Sequence, residues 1–99
     1  MNFNQQCYEI LSKIPKGNVV TYKQIAHILN TKAYRAVGNA MANNPNLIIV
    51  PCHRVIKSDG HIGGYALGVK RKISLLKNEG IVIKKGEIID FEKHIHLFE

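Results

Sequence analysis

The chain has 99 residues, enough for one small domain around one core, and 45% of them are hydrophobic, which argues for a folded chain rather than a disordered one. Fourteen Lys and Arg against seven Asp and Glu leave a net charge of +7, which points to nucleic acid first, an anionic membrane surface second, or a basic surface that serves only solubility. Two cysteines are too few for a disulfide scaffold, no apolar run approaches the roughly 20 residues of a membrane span, and MNFNQQCYEI lacks the form of a secretion signal, so a soluble, cytoplasmic protein is expected.

Phe3, Cys7, Tyr8, Ile10, Leu11 and Ile14 recur at helical spacing. Asn4 is the expected N-cap, Phe3 staples onto Tyr8, and Pro15 and Gly17 end the helix. Cys7 falls on the apolar face and reads as a small core residue. Val19 and Val20 form a short extended piece. Thr21-Tyr22-Lys23-Gln24 has the form of a capping box, and Ile25, Ala26, Ile28 and Leu29 continue a second helix. Asn30-Thr31-Lys32 breaks it. A third helix starts near Ala33, turns Val37, Ala40 and Met41 inward, and stops at Asn43-Asn44-Pro45. Two short helices across a short break suggest a helix-turn-helix, a weak signal alone because many helical hairpins bind nothing. The small residues Ala33, Ala36, Gly38, Ala40 and Ala42 would let the third helix approach another surface closely.

The apolar run Leu47–Val50 reads as core and ends at Pro51, after which Cys52, His53 and Arg54 stand in a row. Residues 57–68, KSDGHIGGYALG, form a glycine-rich loop without the phosphate-loop or GxGxxG context, so no nucleotide cradle is expected. Val69, Ile73, Leu75 and Leu76 mark a fourth helix that Gly80 ends. Ile81–Lys84 and Glu87–Phe91 flank Lys85-Gly86 as a hairpin, and the final histidines belong to a loose surface tail. No linker divides the chain, so residues 1–99 form one domain: mainly α, a winged-helix-like helix-turn-helix domain with a small β-hairpin.

A thiol attacks as thiolate, its ordinary pKa is about 8.5, and a neighbouring His can take its proton directly or through water. On an extended segment, residues 52 and 53 point to opposite sides, so a turn at Pro51 is needed to bring both to one site. The competing reading is a buried structural cysteine with His53 bonded to backbone. Cys52-His53 and His94-x-His96 are the metal-type pairs, and neither has a standard zinc spacing; no metal and no cofactor are expected.

The order of pieces decides among these readings. A capped helix carrying Tyr22 is followed by RAVGNAM, NP, IIVPCHRV, GGY and LLKNEG. From about Phe3 to Gly80 this resembles the C-terminal, DNA-binding and active-site domain of the O6-alkylguanine-DNA alkyltransferases, the methylated-DNA–protein-cysteine methyltransferases. Residues 81–99 carry no recognised motif beyond the hairpin and tail. The resemblance implies a protein that flips O6-alkylguanine out of duplex DNA and moves the alkyl group irreversibly to its own cysteine. Cys52 would be the acceptor, His53 the base through a bridging water, and Glu79 the residue orienting His53. Asn44 would hold the turn before the cysteine, and Tyr22 would assist flipping and protonate the departing guanine. Arg35 would fill the place the base leaves, with Tyr34, Ala36, Gly38 and Asn39 also at the DNA on a helix in the minor groove. Met41, Val55, Tyr65, Ala66 and Leu67 would form the base pocket, Leu67 adding bulk at its mouth. Taken singly, Tyr22 as packing, Arg35 as surface charge and Glu79 as a partner of Lys77 remain competitive readings.

Bottom-up chemistry agrees with that implication. The target carbon is out of reach in a stacked duplex, and attack on an alkyl carbon bound to oxygen needs a thiolate and a protonated leaving group. The partner implied is double-stranded DNA containing O6-alkylguanine, bound by a monomer. The family's N-terminal domain has no counterpart in the sequence. Single-domain alkyltransferase-like proteins, which bind alkylated DNA without repairing it, usually replace the acceptor cysteine; Cys52 favours the enzyme.

Overall fold

The structure, a computed structural model, describes residues 1–47 and 49–98. Among these are α1 (Phe3–Leu11), α2 (Tyr22–Ile28), α3 (Tyr34–Ala42), α4 (Val69–Asn78) and the short α5 (Phe91–His94). Four two-residue strands complete it: β1 (Val20–Thr21), β2 (Val55–Ile56), β3 (Ile83–Lys84) and β4 (Glu87–Ile88). No helix among the described residues is long and apolar enough to cross a membrane.

The helix ends follow from local chemistry. The cap of α1 is Asn2, not Asn4: Asn2 accepts from the Gln5 amide while the Gln5 side chain accepts from the Asn2 amide. Gln5 lies three residues after Asn2, whereas Cys7 lies three after Asn4 and cannot complete the box. Phe3 therefore sits inside the helix rather than stapling its entry. On α2 the Thr21–Gln24 box forms as expected. Asn30 takes φ 55° to turn the chain towards α3, whose N-terminus has no side-chain cap.

Cys7, Ile10, Leu11, Ile25, Ala26, Val37, Ala40 and Met41 pack α1, α2 and α3 together. Ala40 is thus core rather than a point of approach for another surface. Val19, Ile56, Ile62, Leu76, Ile81 and Ile88 form a second cluster. The β1–β2 pair separates the two, because successive side chains of a strand point to opposite faces. It is parallel, with Val20 opposite Val55 and Thr21 opposite Ile56. In that parallel register residues 52–54 fall level with residues 17–19, just before β1.

Two further expectations change, while the hairpin forms at the turn expected for it. Leu47 and Val50 are half-buried but Ile49 is 69% exposed, so this stretch is a turn at the surface rather than core; Ile48, within the expected run, lies outside the described residues. The β3–β4 hairpin turns on Lys85 and Gly86, both at positive φ, the pattern of a type I′ turn. The tail after it is not loose: Val19 and Ile95 form a parallel bridge.

Candidate active site

Pro51 supplies the turn that the cysteine requires. Its φ of −80° and ψ of 69° are those of an inverse γ-turn, and the Cys52 amide donates to the Val50 carbonyl at 2.8 Å. Cys52–Arg54 then form a single 3₁₀ turn, closed by the Arg54 amide on the Pro51 carbonyl at 3.0 Å. Three residues per turn spread neighbouring side chains about 120° apart instead of alternating them across a strand. Asn44 braces the approach, its Nδ2 donating to the Val50 carbonyl at 2.8 Å.

His53 is 7% exposed, and its Nε2 lies 2.7 Å from Glu79 Oε2. A carboxylate accepts, so Nε2 carries the hydrogen and Nδ1 presents a lone pair. Nδ1 is also buried and has no hydrogen-bond partner among the described residues. Burial lowers the His53 pKa against the raising effect of Glu79, which keeps the ring neutral and basic near neutral pH. Arg54 fixes the carboxylate: Nε meets Oε1 and Nη2 meets Oε2, both at 2.9 Å, while Nη1 donates to the Ile14 carbonyl at 2.7 Å. Burial works to raise the Glu79 pKa, but the Arg54 and His53 bonds prevail and lower it, so the carboxyl stays ionised. Glu79 is thus engaged by His53 and Arg54, not by Lys77.

Cys52 opens into a pocket of about 240 Å³ lined by Tyr22, Gly38, Met41, Ala42, Gly64, Tyr65 and Ala66. Burial pushes its thiol pKa up, while a hydrogen bond from Asn44 and the charge of Lys72 pull it down. Tyr22 and Tyr65 are both pushed up, chiefly by burial and then by Cys52, so both remain hydroxyl donors. The Tyr65 ring stands edge-on to His53 with centroids 6.5 Å apart.

Lys72 is fully buried, and its Nζ donates to the Val55 carbonyl at 2.6 Å and the Gly64 carbonyl at 3.0 Å. It ties the strand after the active-site turn to the loop that walls the pocket. Burial lowers its pKa to about 8, against the opposing pull of Cys52. Sequence reasoning missed both Lys72 and the Arg54 fork. The spacing Val69, Lys72, Ile73, Leu76 does put Lys72 on the apolar stripe of α4, a signal overruled by the usual exposure of lysine.

Of the residues expected at the pocket, Met41, Tyr65 and Ala66 line it, and Tyr22 joins them. Two do not. Val55 is fully buried in β2 and contributes only its carbonyl to Lys72. Leu67 is 56% exposed and outside the lining, so its bulk does not narrow the pocket. On α3, Gly38 faces the pocket, Ala36 is half-buried, and Tyr34, Arg35 and Asn39 are exposed. The last three form no part of the pocket lining and sit on the helix that borders it. A larger cavity, about 740 Å³, lies between α2, Lys32, Tyr34, Leu97 and Phe98 and includes neither Cys52 nor His53.

Residues 2–81 match the family described as 6-O-methylguanine DNA methyltransferase, DNA binding domain. The methylated-DNA–protein-cysteine methyltransferase of Saccharolobus solfataricus is 53% identical over 81 residues, 82% of this chain and 52% of its own. The chain spans about half the length of the curated methyltransferases it matches. Among solved structures, Mycobacterium tuberculosis OGT in complex with DNA is 44% identical with a TM-score of 0.76, over 80% of this chain and 50% of that one. S. pombe Atl1 in complex with damaged DNA containing O6-carboxymethylguanine is 30% identical with a TM-score of 0.83, over 96% of this chain and 94% of that one.

Proposed function

The chain belongs to the 6-O-methylguanine DNA methyltransferase family, and from that membership we propose that it repairs duplex DNA by moving the alkyl group of a flipped O6-alkylguanine, chiefly O6-methylguanine, onto its own Cys52. The observation that carries this reading is Cys52 at the wall of a pocket between Tyr22 and Tyr65, with His53 and Glu79 bonded beside it. At about 240 Å³ the pocket falls below the roughly 300–1,000 Å³ of drug-sized sites and suits a single base.

In the proposed reaction, His53 Nδ1 takes the Cys52 proton through a bridging water. The thiolate attacks the alkyl carbon; the S–C bond forms as the C–O6 bond breaks, and the electron pair of that bond stays with guanine. Tyr22 supplies the proton that guanine needs to leave, and the proton taken from Cys52 makes good the one given up. Glu79, held by Arg54, fixes the His53 tautomer and stabilises the transient imidazolium. Asn44 and Lys72 support the thiolate. Arg35 enters the duplex to hold the gap, and Tyr34, Ala36, Gly38 and Asn39 contact the minor-groove face of the DNA. The whole chain acts as one monomeric domain, associated with DNA inside the cell. A thioether cannot be hydrolysed as an acyl-enzyme can, so each molecule reacts once.

A second reading is a lesion-binding protein without transfer, favoured by the near-complete mutual coverage with Atl1. Incubation with duplex carrying labelled O6-methylguanine separates the two. Transfer predicts one label per protein, mapped to Cys52 by peptide mass, and none in Cys52→Ser, which still binds the lesion. Selective binding without label supports the second reading, and label on Cys7 overturns the assignment of the acceptor.

A further inference from the structure

Residues 82–98 lie beyond the family match, yet they reach the proposed proton relay. Gly17 is the intermediary. Its amide donates to Glu79 Oε1 at 3.4 Å, and its carbonyl lies 3.1 Å from His94 Nδ1. A carbonyl only accepts, so Nδ1 carries the hydrogen. Gly17 has φ +90°, a conformation that turns these two groups towards different partners and that side chains rarely adopt. The hydrogen-bonded series therefore runs from His94 through Gly17 and Glu79 to His53, which stands next to the cysteine.

The same segment secures the other side of the site. Val19 donates to the His94 carbonyl at 2.8 Å, and the His96 amide donates to the Val19 carbonyl at 2.9 Å. The tail thus adds to the edge of β1, one residue before Val20 and three before Tyr22. Gln24, the partner of Thr21 in the α2 capping box, donates from Nε2 to the His96 carbonyl at 3.3 Å. His94–His96 thereby hold both the segment that meets Glu79 and the helix start that carries Tyr22.

We infer that His94 is a positioning residue for the Glu79–His53 pair, acting through Gly17, and that the backbone of His96 positions Tyr22 through β1. This rests on the role proposed above for that pair. His94 touches neither the sulfur nor the pocket, so its effect is on the orientation of Glu79 and hence on the basicity and aim of His53.

The test uses the full chain as wild type, His94→Ala, His94→Asn, His96→Pro and His96→Ala, with folding checked by circular dichroism well below melting. Two rates are measured: modification of Cys52 by iodoacetamide across neutral pH, mapped by peptide mass, and single-turnover transfer from O6-methylguanine duplex. His94→Ala should slow both by roughly 3- to 10-fold, the scale of one lost orienting hydrogen bond. Its affinity for lesion duplex should stay within about twofold of wild type, since no pocket contact is lost. Asn offers an amide donor in place of the ring N–H and should recover most of the rate. His96→Pro removes the amide bonded to Val19 and should weaken lesion affinity, whereas His96→Ala keeps that amide and should not. Wild-type rates in His94→Ala, or equal losses in His94→Ala and His94→Asn, would overturn the role of His94. Equal affinities in the two His96 variants would overturn that of the His96 backbone. A wild-type protein that transfers no methyl group refutes the proposed function instead, and the iodoacetamide rates then decide the positioning of His53 alone.

Discussion

Lys72 shows how one side chain couples the charge of the site to its shape. It is wholly buried, bonded to two carbonyls from different segments, and electrostatically coupled to Cys52. Its ammonium is lowered from an ordinary 10.5 to about 8. Between those values the unfolded chain holds the proton and the folded chain has released it, so this group makes stability rise with pH across that window. Below about pH 8 both states are protonated, and the cost of burying the charge is present in full. The stability of wild type minus that of Lys72→Met, from urea midpoints, should therefore increase between pH 8 and pH 10.5, by up to about 3 kcal/mol. A flat difference would mean that Lys72 titrates alike in both states. Cys52, His53 and Glu79 were legible in the sequence through the order of their motifs. The Arg54 fork was not, because the Arg54–Glu79 contact spans 25 residues and no local spacing reports it.

Among the elements, α2 and α3 divide the work. Thr21 ends β1 and caps α2, so its hydroxyl holds the first turn, where Tyr22 stands. Thr21→Ala should lower stability by about 1 kcal/mol, the usual loss for such a cap, and, on the role proposed for Tyr22, should slow the proposed transfer further by freeing that side chain. Unchanged melting and transfer would show the cap to be dispensable. Arg35 is exposed in the first turn of α3. Arg35→Ala should therefore fold normally. On the proposed role it should slow repair of duplex by about 10-fold or more, since unstacking a base costs a few kcal/mol, while sparing reaction with the free base. Equal losses on both substrates would count against that role. The α2 box was readable because Thr and Gln stand three apart. The α1 box was equally present as Asn2 and Gln5, but Asn4 offered a rival cap and the completing Gln decided it. The β1–β2 pair was not readable at all: two two-residue strands, 35 residues apart, carry no periodicity. Their pairing is selected by the two apolar clusters that it divides.

At the scale of the whole molecule, the proposed transfer raises the question of what alkylation would do to a domain this small. Steric crowding is a weak answer, because Cys52 faces a pocket of about 240 Å³ in which a methyl group finds room. The loss of hydrogen bonding is the stronger answer. Burial raises the Cys52 pKa, so the resting sulfur is a thiol bonded to Asn44, and the thioether that replaces it has no S–H and accepts hydrogen bonds only weakly. Lys72 keeps its two carbonyls and loses no charge; the group left less well matched is Asn44, at the turn before the cysteine. Leaving polar groups partly unmatched in such a place costs about 1–3 kcal/mol. Domains of this size have only about 5–15 kcal/mol in total, so the loss is a substantial share. One kcal/mol corresponds to about 4–8 °C of melting temperature in a domain of 60–100 residues. The methylated protein should therefore melt at least about 4 °C below the unreacted one. Asn44→Ala should show a much smaller drop, because it has no amide to leave unmatched at the sulfur. Differential scanning calorimetry before and after one equivalent of lesion DNA, with the DNA removed, measures both. A melting temperature that holds or rises on methylation would reject the destabilisation, and an equal drop in the two proteins would move its cause away from Asn44.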